Sequence, residues 1–192
     1  MSLYLGLVHH PIRNKRNELV TTSVTNLDIH DIARSSRTFG VKKYFIVTPL
    51  EAQHHLVGRI LGHWEGDKSG AYNPDRQDAL AIAKIINSVE DAMVEIEAME
   101  GKKPLLVATG ANFESWESDA YELGRQMKID NMPIFLIFGT GWGIHASLLE
   151  KADIRLKPLH GASEDGYNHL SVRSAVAIYL DRLTQGPLIP KN

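Results

Sequence analysis

Three stretches of this 192-residue chain combine residue types able to bind or activate a substrate. The first covers residues 26–40 (N-L-D-I-H-D-I-A-R-S-S-R-T-F-G). On a helix, His30, Arg34 and Arg37 stand at i, i+4 and i+7 and share one face. Such a cationic face grips phosphate or ribose, with Asp31 near enough to pair with Arg34. The ordinary alternative is a solvated helix face carrying one ion pair, which is the commoner case. The second stretch is Phe138, Gly139, Thr140, Gly141, Trp142 and Gly143, directly after an apolar run. Alternating glycines let a ligand approach the backbone and free N–H groups for it. A dinucleotide fingerprint would place its third glycine at Ile144 and would sit after the first strand, so that match fails. A tight strand-to-helix turn is the ordinary alternative. The third stretch, residues 156–177, holds Pro158, Leu159, His160 and Gly161, then Gly166, Asn168, Leu170, Ser171, Arg173 and Ser174. A polar, glycine-bearing loop there leads into a helix whose first N–H groups favour acceptor atoms. A capped, buried helix explains the same residues without a ligand.

These stretches need a frame. Residues 3–9, 43–48, 104–109 and 133–139 are apolar on both faces and read as buried strands, with 154–158 as a further candidate. Residues 26–39 show helical apolar spacing at Leu27, Ile29, Ile32 and Ala33, with Thr25 or Asn26 at the start and Gly40 at the stop. Residues 50–64, 121–127 and 169–183 are also predicted helices. Residues 78–86 carry both signals; a strand ending near Asn87 is preferred, because Ser88 before Glu90 and Asp91 caps a helix over 89–100. Residues 66–74 read as a polar loop and 186–192 as a tail. Strands alternating with helices imply an α/β fold, a mainly parallel sheet covered on both faces, with ligands beyond the C-terminal strand ends.

Length suits one domain over residues 1–192. The absence of cysteine excludes disulfides and thiolate metal sites. Nine histidines include two adjacent pairs and no H-E-x-x-H, so no metal site is expected. Apolar runs such as 133–138 are far too short to span a bilayer, and residues 1–10 lack the pattern of a secretory signal, so a cytoplasmic protein without membrane association is expected. Net charge is −2, yet residues 1–43 carry +4 and the remainder −6. That asymmetry fits a localised phosphate-binding face as well as it fits surface scatter.

Taken together, the three stretches resemble the motif set of the SPOUT superfamily of RNA methyltransferases, in order and spacing, over nearly the whole chain. D-I-H-D-I-A-R at residues 28–34 lies where that family has an N-V-G-A-I-A-R-like run. The glycine loop resembles its F-G-N-E-G-x-G segment, and residues 156–177 its I-x-P-M-x-G…S-L-N-V-S-V-A-A-A segment. The chain is most similar to a small stand-alone bacterial subfamily also found fused to the tRNA guanine-N1 methyltransferase. Three departures stand out: Asp28 replaces the motif Asn unless Asn26 takes its part, the second motif is a residue shorter without its acid, and Ser171 replaces Asn.

The resemblance implies a Rossmann-like sheet with a C-terminal deep trefoil knot, and S-adenosyl-L-methionine (SAM) as cofactor. It implies a tRNA or rRNA substrate and a homodimer that completes the pocket. Cofactor contacts are expected from Thr109, Gly110, Phe138, Gly139, Thr140, Gly141, Gly143, Leu156, Pro158, Leu159, Asn168, Leu170, Ser171 and Ser174. Arg34, Asn26 and Ser171 are the expected catalytic residues, with ribose 2′-O favoured over base nitrogen as acceptor. A SAM-binding, RNA-associated module without catalysis and a nucleotide-dependent oxidoreductase are the competing readings.

Overall fold

The computed structural model describes residues 2–65 and 73–185. Its elements run β1 (Leu3–Val8), β2 (Ile12–Arg13), β3 (Leu19–Val20), α1 (Asn26–Thr38), β4 (Lys43–Val47) and α2 (Glu51–Glu65). After these come α3 (Pro74–Leu80), β5 (Ala83–Ile86), α4 (Val89–Glu100), β6 (Leu105–Ala108), α5 (Ala120–Asp130), β7 (Ile134–Gly139), α6 (Ala146–Leu149), β8 (Ile154–Arg155) and α7 (Val172–Thr184). Six strands form one sheet in the order β5-β4-β1-β7-β6-β8, and every pairing in it is parallel.

Apolar residues on both strand faces serve two separate cores. Leu3, Leu5 and Leu7 of β1 meet Leu136 and Phe138 of β7 and the helices α1, α5 and α7 on one side. Tyr4 and Val8 meet Phe135, Ile137 and the buried stripe Val89, Ala92, Ile96 of α4 on the other. Gly6 is required between them, because a Cβ there would lie 2.8 Å from the Phe135 ring. Thr25 caps α1, its hydroxyl accepting the Asp28 N–H at 3.2 Å, and Gly40 follows with φ +73°. That is the start and stop chemistry the sequence carries.

The fold corrects several predicted boundaries. Residues 78–86 are neither one strand nor one helix. Asn73 accepts the Arg76 N–H at 3.0 Å, and Pro74 occupies the first turn, so a helix runs to Leu80 before β5 begins at Ala83. The predicted polar loop 66–74 lies outside the described residues except for Asn73 and Pro74, which start that helix; the predicted tail 186–192 lies outside them entirely. The last helix starts at Val172, not 169, because Ser171 is its extended N-cap. Leu27, read as a core position, is 62% exposed. The β2–β3 hairpin and α6 have too few residues to carry a periodic signal. Among the described residues no helix is long and apolar enough to cross a membrane.

Candidate functional site

Sheet order places the glycine stretch at the topological switch point. From β1 the chain builds outward through β4 to β5, then crosses to build β6, β7 and β8 on the other side. The crevice this opens lies beyond the C-terminal ends of β1 and β7, where Val8 and Gly139 are register partners. The loop 139–143 begins there. Thr140 donates its hydroxyl to the Val8 carbonyl at 3.1 Å and contacts the Thr22 hydroxyl, which also bonds His9 Nδ1 at 3.0 Å. Gly141 and Gly143 have φ of +56° and +105°, conformations that side chains resist. The hairpin β2–β3 braces the loop: the Arg13 N–H bonds the Gly143 carbonyl at 3.0 Å and Arg13 Nε the Trp142 carbonyl at 2.7 Å. Trp142 itself stays 58% exposed.

The other two segments expected to meet the cofactor lie beside neighbouring strands. Thr109, at the end of β6, bonds the Ile137 carbonyl through both its N–H (3.1 Å) and its hydroxyl (3.0 Å). It therefore frames the crevice. Gly110 has no room for a Cβ beside the Phe113 ring, at 2.6 Å. Leu156, after β8, donates its N–H to the Ala108 carbonyl at 2.9 Å, and Pro158 and Leu159 are buried. Because β7, β6 and β8 are parallel neighbours, Gly139, Thr109 and Leu156 share one sheet edge. Asn168 closes the following loop on itself, accepting the Gly161 N–H and donating to the Leu159 carbonyl, both at 2.9 Å. Leu170 is 46% exposed and Tyr167 68% exposed at the same edge. The Phe138 ring packs edge-on against Tyr179 in the core, which leaves only its backbone for a ligand.

The segments fit an adenosyl group. Glycine backbone at the switch point admits close approach, and Trp142, Tyr167 and Leu170 offer apolar surface still open to cover. SAM would be held by the backbone of 139–143 and 156–159 and by the loop ahead of α7.

The N-terminal motif adjoins the third segment, through Asp28 and Asp31 on Arg173, and from there α1 carries its later residues away. Ser171 accepts the Ser174 N–H at 3.2 Å and bonds the Ser174 hydroxyl at 3.0 Å, so both serines form the cap of α7. Asn26 and Arg34 line a groove of about 720 Å³ with residues of α2 and α3. Arg34 follows Asn26 by eight residues, roughly 12 Å of helix. Since α1 crosses between the parallel neighbours β1 and β4, it runs back against the strands and carries Arg34 away from the C-terminal sheet edge. Asp31 pairs not with Arg34 but with Arg173, at 3.5 Å. Arg37 pairs with Asp78 at 2.8 Å.

Sequence reading missed what Asp28 does. It is buried, with Thr25 donating to one carboxylate oxygen at 2.6 Å and Arg173 Nη1 to the other at 2.7 Å. Asp28, a departure in the first motif, thus meets Arg173 of the third stretch. The signal in the sequence was the altered motif residue Asp28; its proximity to Arg173 needed the fold. His9, at the end of β1, is buried with Nε2 unpartnered, and burial holds its pKa down at about 4 against a weaker upward pull from Asp28.

Comparison with known proteins agrees with this geometry. The chain is 43% identical over 182 residues to the tRNA (guanine-N(1)-)-methyltransferase of Oleidesulfovibrio alaskensis, covering 95% of this chain and 42% of that protein. It thus spans under half the length of that relative. An uncharacterised Aquifex aeolicus protein is 34% identical, with 95% and 88% covered. Among solved structures, the SpoU methyltransferase AviRb of Streptomyces viridochromogenes superposes with a TM-score of 0.59 at 16% identity, over 95% of this chain and 58% of that one. The A. aeolicus TrmH/SpoU tRNA modifying enzyme gives 0.53 at 16% identity, over 95% and 73%. The model of the SAM-dependent RNA methyltransferase family matches residues 2–185, and this chain belongs to that family.

Proposed function

We propose that this SPOUT domain, residues 1–192, methylates tRNA, with a ribose 2′-hydroxyl as acceptor. The observation carrying the acceptor assignment is Arg34, a guanidinium in the groove with no carboxylate partner among the described residues. When bound, SAM would supply an electrophilic methyl carried on a positively charged sulfur, the sulfur keeping the S–C electron pair as neutral thioether and the acceptor hydroxyl losing its proton to water. Arg34 is too basic to take that proton. Its part is to bind the target phosphate and stabilise the developing alkoxide, with Asn26 orienting the nucleotide. Thr109, Gly110, the 139–143 loop, Leu156, Pro158, Leu159 and Leu170 hold the adenosine. Asn168 and the Ser171–Ser174 cap fix the shape of its outer wall.

Within one chain Arg34 stands in the groove, about two turns along α1 from Asn26, which supports a homodimer in which a second copy supplies the acceptor side. A trefoil knot over the C-terminal segment is supported by its path: Lys157 bonds the Ser118 carbonyl at 2.9 Å, Tyr179 bonds the Lys157 carbonyl at 2.8 Å, and α7 then packs against both α1 and α5. A second acceptor, guanine N1, is favoured by the name of the O. alaskensis relative.

The test is incubation with methyl-labelled SAM and bulk tRNA, then digestion and nucleoside identification. A 2′-O-methylated nucleoside is expected, and 1-methylguanosine would establish the second acceptor instead. Arg34→Ala should lose at least tenfold in transfer while binding SAM normally; full transfer by that variant would remove Arg34 from the mechanism.

A further inference from the structure

Much of the positive charge of the N-terminal third is taken up within the fold. Lys42 is neutralised by Glu100 at 2.6 Å, Lys43 by Glu95 at 2.8 Å and Arg37 by Asp78, while Arg13 is tied to the glycine loop. Arg34 is joined instead by two arginines from outside that third, Arg59 of α2 and Arg76 of α3, around the 720 Å³ groove. None of the three has a carboxylate partner among the described residues. The carboxylate lining the groove, Asp31, is already engaged by Arg173. Arg76 stacks over the Trp64 ring, 5.4 Å from its centroid, and His30 meets the same ring edge-on at 5.7 Å. Both point an unmet hydrogen-bonding atom into the packing: Arg76 Nε and His30 Nδ1 are buried without a partner. Burial, with Arg76 and Arg34 outweighing Asp31, lowers the His30 pKa, so the positive charge of the groove rests on the arginines.

We propose that this groove is the RNA-phosphate site of the enzyme, with Arg59 and Arg76 as phosphate ligands flanking the nucleotide that Arg34 contacts. The inference rests on the RNA methyltransferase reading above and adds the residues that hold the substrate. Guanidinium forks match phosphate oxygens in pairs, which an isolated lysine does not. A cleft of this size admits a nucleotide with its phosphate. Arg76 lines the groove with its guanidinium held over the Trp64 ring, and a guanidinium brings donors only, as an anionic ligand requires.

The experiment measures binding of labelled bulk tRNA to the full chain across a salt series, for wild type, Arg59→Gln, Arg76→Gln and the double variant. Lys102→Gln/Lys103→Gln, exposed beyond α4, reports general charge loss. SAM affinity by calorimetry and sedimentation are measured in parallel. Each phosphate contact contributes about 0.7 to 0.9 to the slope of log K against log salt. The double variant should lose about tenfold or more in tRNA affinity and flatten the slope by roughly 1.5, with SAM affinity unchanged. Arg59→Gln alters an exposed side chain and keeps the test clear of folding defects. The proposal is overturned if affinity and slope stay at wild-type values, or if the Lys102/Lys103 variant loses as much. A changed sedimentation coefficient with unchanged tRNA affinity would assign the groove to a second copy of the chain and also overturn it. Wild-type protein that binds tRNA through Arg59 and Arg76 yet transfers no methyl keeps the groove and defeats the catalytic reading. Wild type that binds no tRNA defeats both.

Discussion

Removing Arg173 should destabilise this protein far more than a surface arginine would, because it abandons a buried carboxylate. Asp28 keeps only 8% of its side chain exposed, while Arg173 keeps 32%. In Arg173→Ala the carboxylate retains the Thr25 hydroxyl but loses the 2.7 Å charge-assisted bond. Stranding a fully buried charge costs about 3–5 kcal/mol; solvent access on the arginine side and the surviving Thr25 contact bring this to about 2–3 kcal/mol. For a domain of this size that is a fall in Tm of roughly 4–12 °C. Asp28→Asn removes the charge that needs compensation while keeping an acceptor for Thr25. The double variant Asp28→Asn/Arg173→Ala should therefore be more stable than Arg173→Ala alone, with a coupling of about 1–2 kcal/mol in a urea-unfolding cycle. An Arg173→Ala protein within about 0.5 kcal/mol of wild type, the ordinary surface range, would refute the argument that this pair fastens α1 to α7.

Two further outcomes follow from the packing. His9 is neutral in the fold, with its pKa lowered to about 4, whereas the unfolded chain protonates near 6.5. Stability should thus fall as pH drops from 6.5 toward 4, by about 3 kcal/mol from this group, and His9→Gln should flatten that part of a pH series of unfolding midpoints. Gly124→Ala would drive a Cβ into the Leu183 backbone carbonyl where α5 meets α7. It should cost about 3 kcal/mol or more and weaken SAM binding in calorimetry, since α7 carries the Ser171 cap.

The motifs were legible in the sequence because they are local. Glycines at Gly139, Gly141 and Gly143 after an apolar run, and Ser171 ahead of a small-residue helix, announce backbone conformations that depend on neighbouring residues only. The strands were legible for the same reason: a parallel strand covered on both faces has to be continuously apolar. Residues 78–86 were misread because the cap and proline that start α3, Asn73 and Pro74, sit at the end of a polar stretch that looks like loop. The hairpin at Ile12 and Leu19 was invisible because two-residue strands have no period, and their partner, the glycine loop, lies over a hundred residues away.

The sequence by itself determined the frame, since strand and helix propensities are written in short windows, and the order of its motifs carried the resemblance to the family and, with it, the cofactor. Only the tertiary structure decided how the charges are distributed. Asp28 reads as a lost motif residue until Arg173, 145 positions on, is seen to hold it. Of the basic N-terminal third, Arg37, Lys42 and Lys43 are taken up by Asp78, Glu100 and Glu95, and a cationic groove appears that draws on three separate helices. Ion pairing depends on distance in space, and only the packing of α1 against α3 and α7 fixes which charges meet and which are left for a ligand.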